Sequence, residues 1–139
     1  MKRHYVIASH STFAAGMANA LKFFAGDDLE LTVLTAYVDN KPIDDQVKDI
    51  FKDIPSDDEV IVLTDLMGGS VNQKFFPYAF REHTHIISGM NLSVALAVVM
   101  EPVNGYIDAE RIEAIVDEAK DQLVYVNSVA RNQAGDDDE

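Results

Sequence analysis

Four short apolar runs, each followed by a stretch of helical periodicity, constrain this chain more than any other feature. Tyr5-Val6-Ile7-Ala8, Leu29 to Val38 (LELTVLTAYV), Glu59 to Thr64 (EVIVLT) and Thr84 to Ser88 (THIIS) read as strands. The first is apolar on both faces and the third has a continuous apolar centre, as expected of strands covered on both faces. Between them, Ala14, Met17, Ala18, Leu21 and Phe24 recur at helical spacing, with Gly26 as a stop. Ile43, Val47, Ile50, Phe51 and Ile54 form a second stripe behind Pro42, and Val71, Phe75, Phe76 and Phe80 a third that Pro77 should shorten. Leu92 to Met100 is an apolar helix that should stop before Pro102. Ile112, Ile115, Val116, Ala119 and Leu123 mark a final helix capped by Asp108. Val124-Tyr125-Val126 reads as a short last strand.

Strands alternating with helices predict an α/β fold: a doubly wound, mainly parallel sheet with helices on both faces. The 139 residues suit one domain, placed at 1–129 and followed by an acidic tail over 130–139. That tail, which ends in Gly135-Asp136-Asp137-Asp138-Glu139 with no apolar anchor, is expected to be disordered. The formal charge of -13 argues against nucleic acid as a partner and favours one with a basic patch. With no cysteine, disulfide and thiolate chemistry are excluded and the cytoplasm is the default compartment. No apolar run approaches the roughly 20 residues of a membrane span, so no membrane insertion is expected.

In a parallel sheet every strand-to-helix loop lies along one edge, where ligands bind at the point of reversed strand order. The common order 2-1-3-4 makes the first and third strands neighbours, so His10 and Asp65 should face each other across that point. A carboxylate on one ring nitrogen fixes the tautomer and leaves the other free as a nucleophile. The adjoining Gly68-Gly69-Ser70 turn brings backbone N–H groups and a hydroxyl, the means to hold an anion. Nucleophilic imidazole and anion cradle together point to phosphoryl transfer through phosphohistidine. Taken singly, each feature has a plainer role: a structural histidine, a capping aspartate, a glycine turn. Their convergence on one edge favours the chemical reading.

His4 should lie at the far end of the first strand, and His83 and His85 have no third ligand near them in sequence, so no metal site is expected. Met67 and Met90 fall in loops on the functional edge and are placed as partner-docking residues. The chain has no G-x-x-x-x-G-K-[ST] run, no G-x-G-x-x-G and no G-x-S-x-G elbow. No cofactor is expected, and the phosphoryl group must come from another molecule.

"VIASHSTFAAGM", "VIVLTDLMGGSVNQ" and "ISGMNLSVAL" together resemble the IIA components of mannose-class sugar phosphotransferase systems, over roughly residues 4 to 127. The resemblance implies a carrier that takes a phosphoryl group from phospho-HPr and passes it to a IIB component, which serves membrane IIC and IID proteins. It places the phosphorylated histidine at His10, the orienting aspartate at Asp65 and the phosphoryl-side serine at Ser70. It also implies a homodimer that exchanges a C-terminal antiparallel edge strand, a role for Val124-Tyr125-Val126. Two departures stand out: Ser11 where glycine is common, adding a hydroxyl near the phosphoryl group, and Val71 where proline is common. The phosphotransfer subunit of a dihydroxyacetone kinase shares the histidine logic, and "Ser-His-Ser" suits it, but "TDLMGGS" is closer to the sugar-transporter loop. A regulatory module that kept the fold is the non-catalytic alternative; retention of His10 and Asp65 speaks against it.

Overall fold

The computed structural model describes residues 1–137. In chain order it comprises β1 (Arg3–His10), α1 (Phe13–Ala25), β2 (Thr32–Ala36), α2 (Ile43–Lys52), β3 (Glu59–Thr64) and α3 (Ser70–Phe75). A 3-10 turn (Phe76–Phe80), β4 (Thr84–Ser88), α4 (Leu92–Val99), α5 (Ala109–Lys120) and α6 (Val126–Asp137) follow. All strand pairings are parallel, in the order β2-β1-β3-β4. The α/β fold and strand order are those expected from the alternation of elements.

The unbroken apolar strand centres have a direct structural reading. Tyr5 and Ile7 of β1, with Ile61 and Leu63 of β3, face a core closed by α1, α4 and α5. The intervening Val6, Ala8, Val60 and Val62 face a second core, closed by α2 and α3. Successive side chains point to opposite faces of a strand, and both faces are covered, so every central position is apolar. Pro77 ends the third helix where expected: α3 stops at Phe75 and the chain tightens into the 3-10 turn. Asp108 caps α5 by accepting the Arg111 amide at 2.8 Å.

At the sheet end remote from the strand-to-helix loops, the side chains of Arg3 and Glu59 are fully buried and paired. Arg3 also donates to the carbonyls of Glu101 (2.9 Å) and Gly105 (3.1 Å), while the second Glu59 oxygen accepts the Ile107 amide at 2.6 Å. Each charge is therefore hydrogen-bonded as burial demands, and the 101–107 loop is pinned beneath the sheet.

Two expectations fail at the C-terminus. Val124 and Tyr125 belong to no strand, and Val126 opens α6; the three are 51%, 66% and 66% exposed. A strand needs a neighbouring backbone ladder, and in this single chain the segment meets none. Residues 130–137, expected to be structureless, continue α6, whose Ala130, Arg131, Gln133 and Ala134 are good helix formers. Residues 138 and 139 lie outside the described residues.

Candidate functional site

β1 and β3 end side by side, in register from Arg3↔Glu59 to Ala8↔Thr64. Their next side chains therefore emerge together at the carboxyl edge. His10 Nδ1 lies 2.8 Å from Asp65 Oδ2, and the same oxygen accepts the His10 backbone amide at 2.8 Å. Asp65 Oδ1 accepts the Leu66 amide at 3.0 Å. Burial alone would favour the neutral acid. The backbone amide and ring N–H of His10 outweigh it and hold the Asp65 carboxyl below the usual carboxylate range. An ionised carboxylate on Nδ1 requires a proton there, so the neutral ring presents Nε2 as its bare nitrogen. The His10 side chain is 36% exposed and that of Asp65 11%, so the carboxylate is sheltered while the imidazole reaches solvent.

The loop after β3 fits around that ring. A Cβ on Gly69 would fall 2.8 Å from His10 Cε1 and 3.3 Å from Leu66 Cβ, so only glycine admits the imidazole in this position. Gly69 was expected to supply a free N–H; instead that amide donates to Leu66 O at 3.1 Å, and the residue's contribution is space. The amides of Gly68 and Ser70 have no backbone acceptor among the described residues. Ser70 Oγ stands 3.4 Å from His10 Nε2. Asn72 holds the loop from below: its side chain accepts from Thr64 Oγ1 (2.8 Å) and donates to Met67 O (3.0 Å).

The loop after β1 is shaped in the same way. The fully buried Ser9 accepts the Ala14 amide at 2.7 Å, fastening the start of α1, and donates to Ser11 O at 3.3 Å. Ser11 adopts φ of 55°, the left-handed region in which glycine is at ease, and its amide donates to Ala36 O. This explains why glycine suits the position. Ser11 is exposed and its hydroxyl makes no hydrogen bond among the described residues.

The expected docking residues separate. Met67 is 71% exposed beside the site; Met90 is 5% exposed and packs in the core with Ile87 and Val94. Met90 therefore offers no docking surface. Its amide is tied to Thr64 O at 2.9 Å, which turns the loop inward and buries a side chain that loop position alone would leave outside. His4, His83 and His85 lie away from the crevice, on Asp58, Tyr106 and the Ile107 carbonyl respectively.

Tyr37 went unnoticed in the sequence, absorbed into the apolar run before it. β2 ends at Ala36, opposite His10, and Tyr37 follows with φ of 68°. Its hydroxyl is 2.6 Å from Ser70 Oγ and its ring centroid 5.6 Å from that of His10. The one available signal was position: the register that aligns the first two strands puts the residue after the second beside the tip of the first.

A family model described as "PTS system fructose IIA component" matches residues 4–127. Three solved structures share the architecture. A Klebsiella pneumoniae protein described as a putative phosphoenolpyruvate-dependent sugar phosphotransferase system (PTS) permease is 32% identical. The alignment covers 94% of this chain and 95% of that one, with a TM-score of 0.80. The PTS IIA protein associated with the fucose utilization operon of Streptococcus pneumoniae is 25% identical, covering 94% and 97%, with a TM-score of 0.77. The mannose/sorbose-specific IIA subunit of Enterococcus faecalis, at 17% identity, covers 90% and 95% with a TM-score of 0.75 and shows the shared fold. No curated protein matches the chain. The paired His10 and Asp65 thus stand on a fold and in a sequence that agree about kinship, and the chain belongs to the mannose-class IIA family of the sugar phosphotransferase system.

Proposed function

We propose that this protein carries a phosphoryl group on His10 Nε2, taking it from phospho-HPr and delivering it to a IIB component that serves membrane IIC and IID proteins in sugar uptake. One observation carries the reading: His10 is held through Nδ1 by a sheltered carboxylate while Nε2, on a ring that reaches solvent, lies beside Ser70. In the transfer, the N–P bond of the donor breaks as the Nε2–P bond forms, and the electron pair of the broken bond stays on the donor nitrogen. The Nδ1 proton remains in place, and Asp65 compensates the positive charge the ring acquires. Ser70 Oγ and the amides of Gly68 and Ser70 are the donors placed to meet the phosphoryl oxygens. Positioning and charge compensation supply the catalysis.

An exposed nucleophile suits transfer between proteins, because a partner's imidazole must reach it in line. Leu66 and Met67, 60% and 71% exposed, offer an apolar docking surface beside the ring, and the acidic net charge steers a basic partner towards it. No described helix is long and apolar enough to cross a membrane, and exchange with HPr implies a cytoplasmic location. Leu123, Val124, Tyr125 and Val126 form an exposed apolar strip that pairing of two copies would cover, a homodimer measurable by light scattering. The Klebsiella relative's description as a sugar permease supports the sugar branch over the dihydroxyacetone kinase branch.

The deciding experiment is incubation with phospho-HPr and measurement of acid-labile, base-stable phosphate. Stoichiometric uptake that a IIB component then removes is the expected result. No uptake would leave the chain a regulatory module of the same fold.

A further inference from the structure

Proton counting at the site assigns a role to a residue outside the His–Asp pair. His10 Nε2 carries no hydrogen in the neutral ring, because Asp65 holds the ring proton at Nδ1. Ser70, 3.4 Å away, can therefore meet Nε2 only as a donor. A hydroxyl has one hydrogen, so with Ser70 donating towards Nε2 the 2.6 Å contact with Tyr37 must have the tyrosine as donor. The result is a directed chain: Tyr37 O–H to Ser70 Oγ, Ser70 O–H to the nucleophilic nitrogen.

The backbone supports a purpose for that chain. A bulky side chain at positive φ is uncommon, and the conformation costs about 1 kcal/mol relative to an ordinary one. Tyr37 adopts it one residue after β2 ends, and this turn brings the phenol back over the sheet edge towards Ser70 and His10. Tyr37 is 59% exposed, so burial of apolar surface does not account for the strain. Strain of this kind persists where the surroundings require a particular geometry.

We propose that Tyr37 is a positioning residue for phosphoryl transfer: by donating to Ser70 it keeps the serine hydrogen aimed at the site that Nε2, and then the phosphoryl oxygens, occupy. Without that donor the serine hydrogen is free to turn to solvent. The chain also polarises Ser70, which strengthens its bond to a phosphoryl oxygen as negative charge arrives. This role rests on His10 being the phosphoryl acceptor.

The test is a double-mutant cycle with Tyr37→Phe and Ser70→Ala, read as single-turnover transfer from phospho-HPr and as the phosphorus NMR shift of the phosphorylated protein. Tyr37→Phe keeps the exposed ring and removes only the hydroxyl. It should slow transfer by about tenfold, the size expected for one such hydrogen bond, without changing KM for phospho-HPr, and should move the phosphorus signal. In the Ser70→Ala background the same substitution should change neither rate nor shift. A Tyr37→Phe protein with the original rate and shift would overturn the proposal, as would a full effect persisting without Ser70. Failure of the unmodified protein to accept any phosphate would overturn the phosphocarrier reading as well, and so is told apart from a proficient Tyr37→Phe variant.

Discussion

β1 and β3 carry a histidine–aspartate pair at each end. His4 and Asp58, at the amino ends, meet through Nε2 and Oδ2 at 2.9 Å; His10 and Asp65, at the carboxyl ends, meet through Nδ1 and Oδ2 at 2.8 Å. Each carboxylate also accepts a backbone amide, of Lys2 at 3.0 Å and of His10 at 2.8 Å. Both carboxyls are held below their usual range: Asp58 first by the His4 ring, Asp65 by the His10 amide and ring against the opposing effect of burial. As pairs they are close to equivalent. Their surroundings separate them. At the carboxyl ends the bare nitrogen meets Ser70, a glycine gives the ring its space, and Tyr37 closes on the serine. At the amino ends Nε2 is spent on Asp58, and among the described residues no second side chain hydrogen-bonds the His4 ring. A sheltered carboxylate beside an imidazole is therefore not yet a site. The free nitrogen and what faces it make one.

Substitutions can break this contrast. The largest effect is expected from His10→Ala, which should abolish phosphate uptake from phospho-HPr, while His4→Ala leaves it unchanged; equal loss in both, measured as acid-labile phosphate, would erase the distinction. Next comes Gly69→Ala, whose added methyl displaces the ring. A misplacement of about 1 Å should slow transfer by roughly 100-fold, with the circular dichroism spectrum kept native. Asp65→Asn should slow transfer strongly, because the amide no longer compensates the cationic ring, whereas Asp58→Asn should leave the rate intact.

The two aspartates should behave alike only in stability. Each carboxyl is depressed in the folded state, so its contribution is present above the unfolded value of about 3.9 and is lost as pH falls through the folded one. Either asparagine variant should melt below the parent near neutral pH, and the gap should close on acidification through that range. A gap that widens in acid would contradict the assigned hydrogen bonds. The smallest effect concerns backbone alone: Ser11→Gly should raise stability by up to about 1 kcal/mol, seen as a melting increase of a few degrees, because φ of 55° suits glycine.

The parts of the site that could be read in advance are those that follow from strand order. His10 and Asp65 end neighbouring strands, so sheet topology alone brings them together, and no loop conformation intervenes. The other residues depend on how the chain turns after each strand ends. Tyr37 looked like the continuation of an apolar run, and a single left-handed residue turned it into the site. Met90 occupies a loop on the functional edge, yet the hydrogen bond from its amide to the Thr64 carbonyl directs it into the core. The Gly69 amide, free in outline, is taken by Leu66. Val124-Tyr125-Val126 has the composition of a strand, but a strand exists only where another edge accepts its hydrogen bonds.

The sequence by itself determined the α/β alternation, the two-faced apolar strands and the meeting of His10 with Asp65, because periodicity and connection rules act locally and leave few topologies open. The tertiary structure alone decided which ring nitrogen is free, that Gly69 gives room rather than a free N–H, and that Tyr37 reaches Ser70. Those outcomes turn on ångström-scale contacts between residues distant in sequence and on single backbone torsions, neither of which leaves a periodic trace in composition.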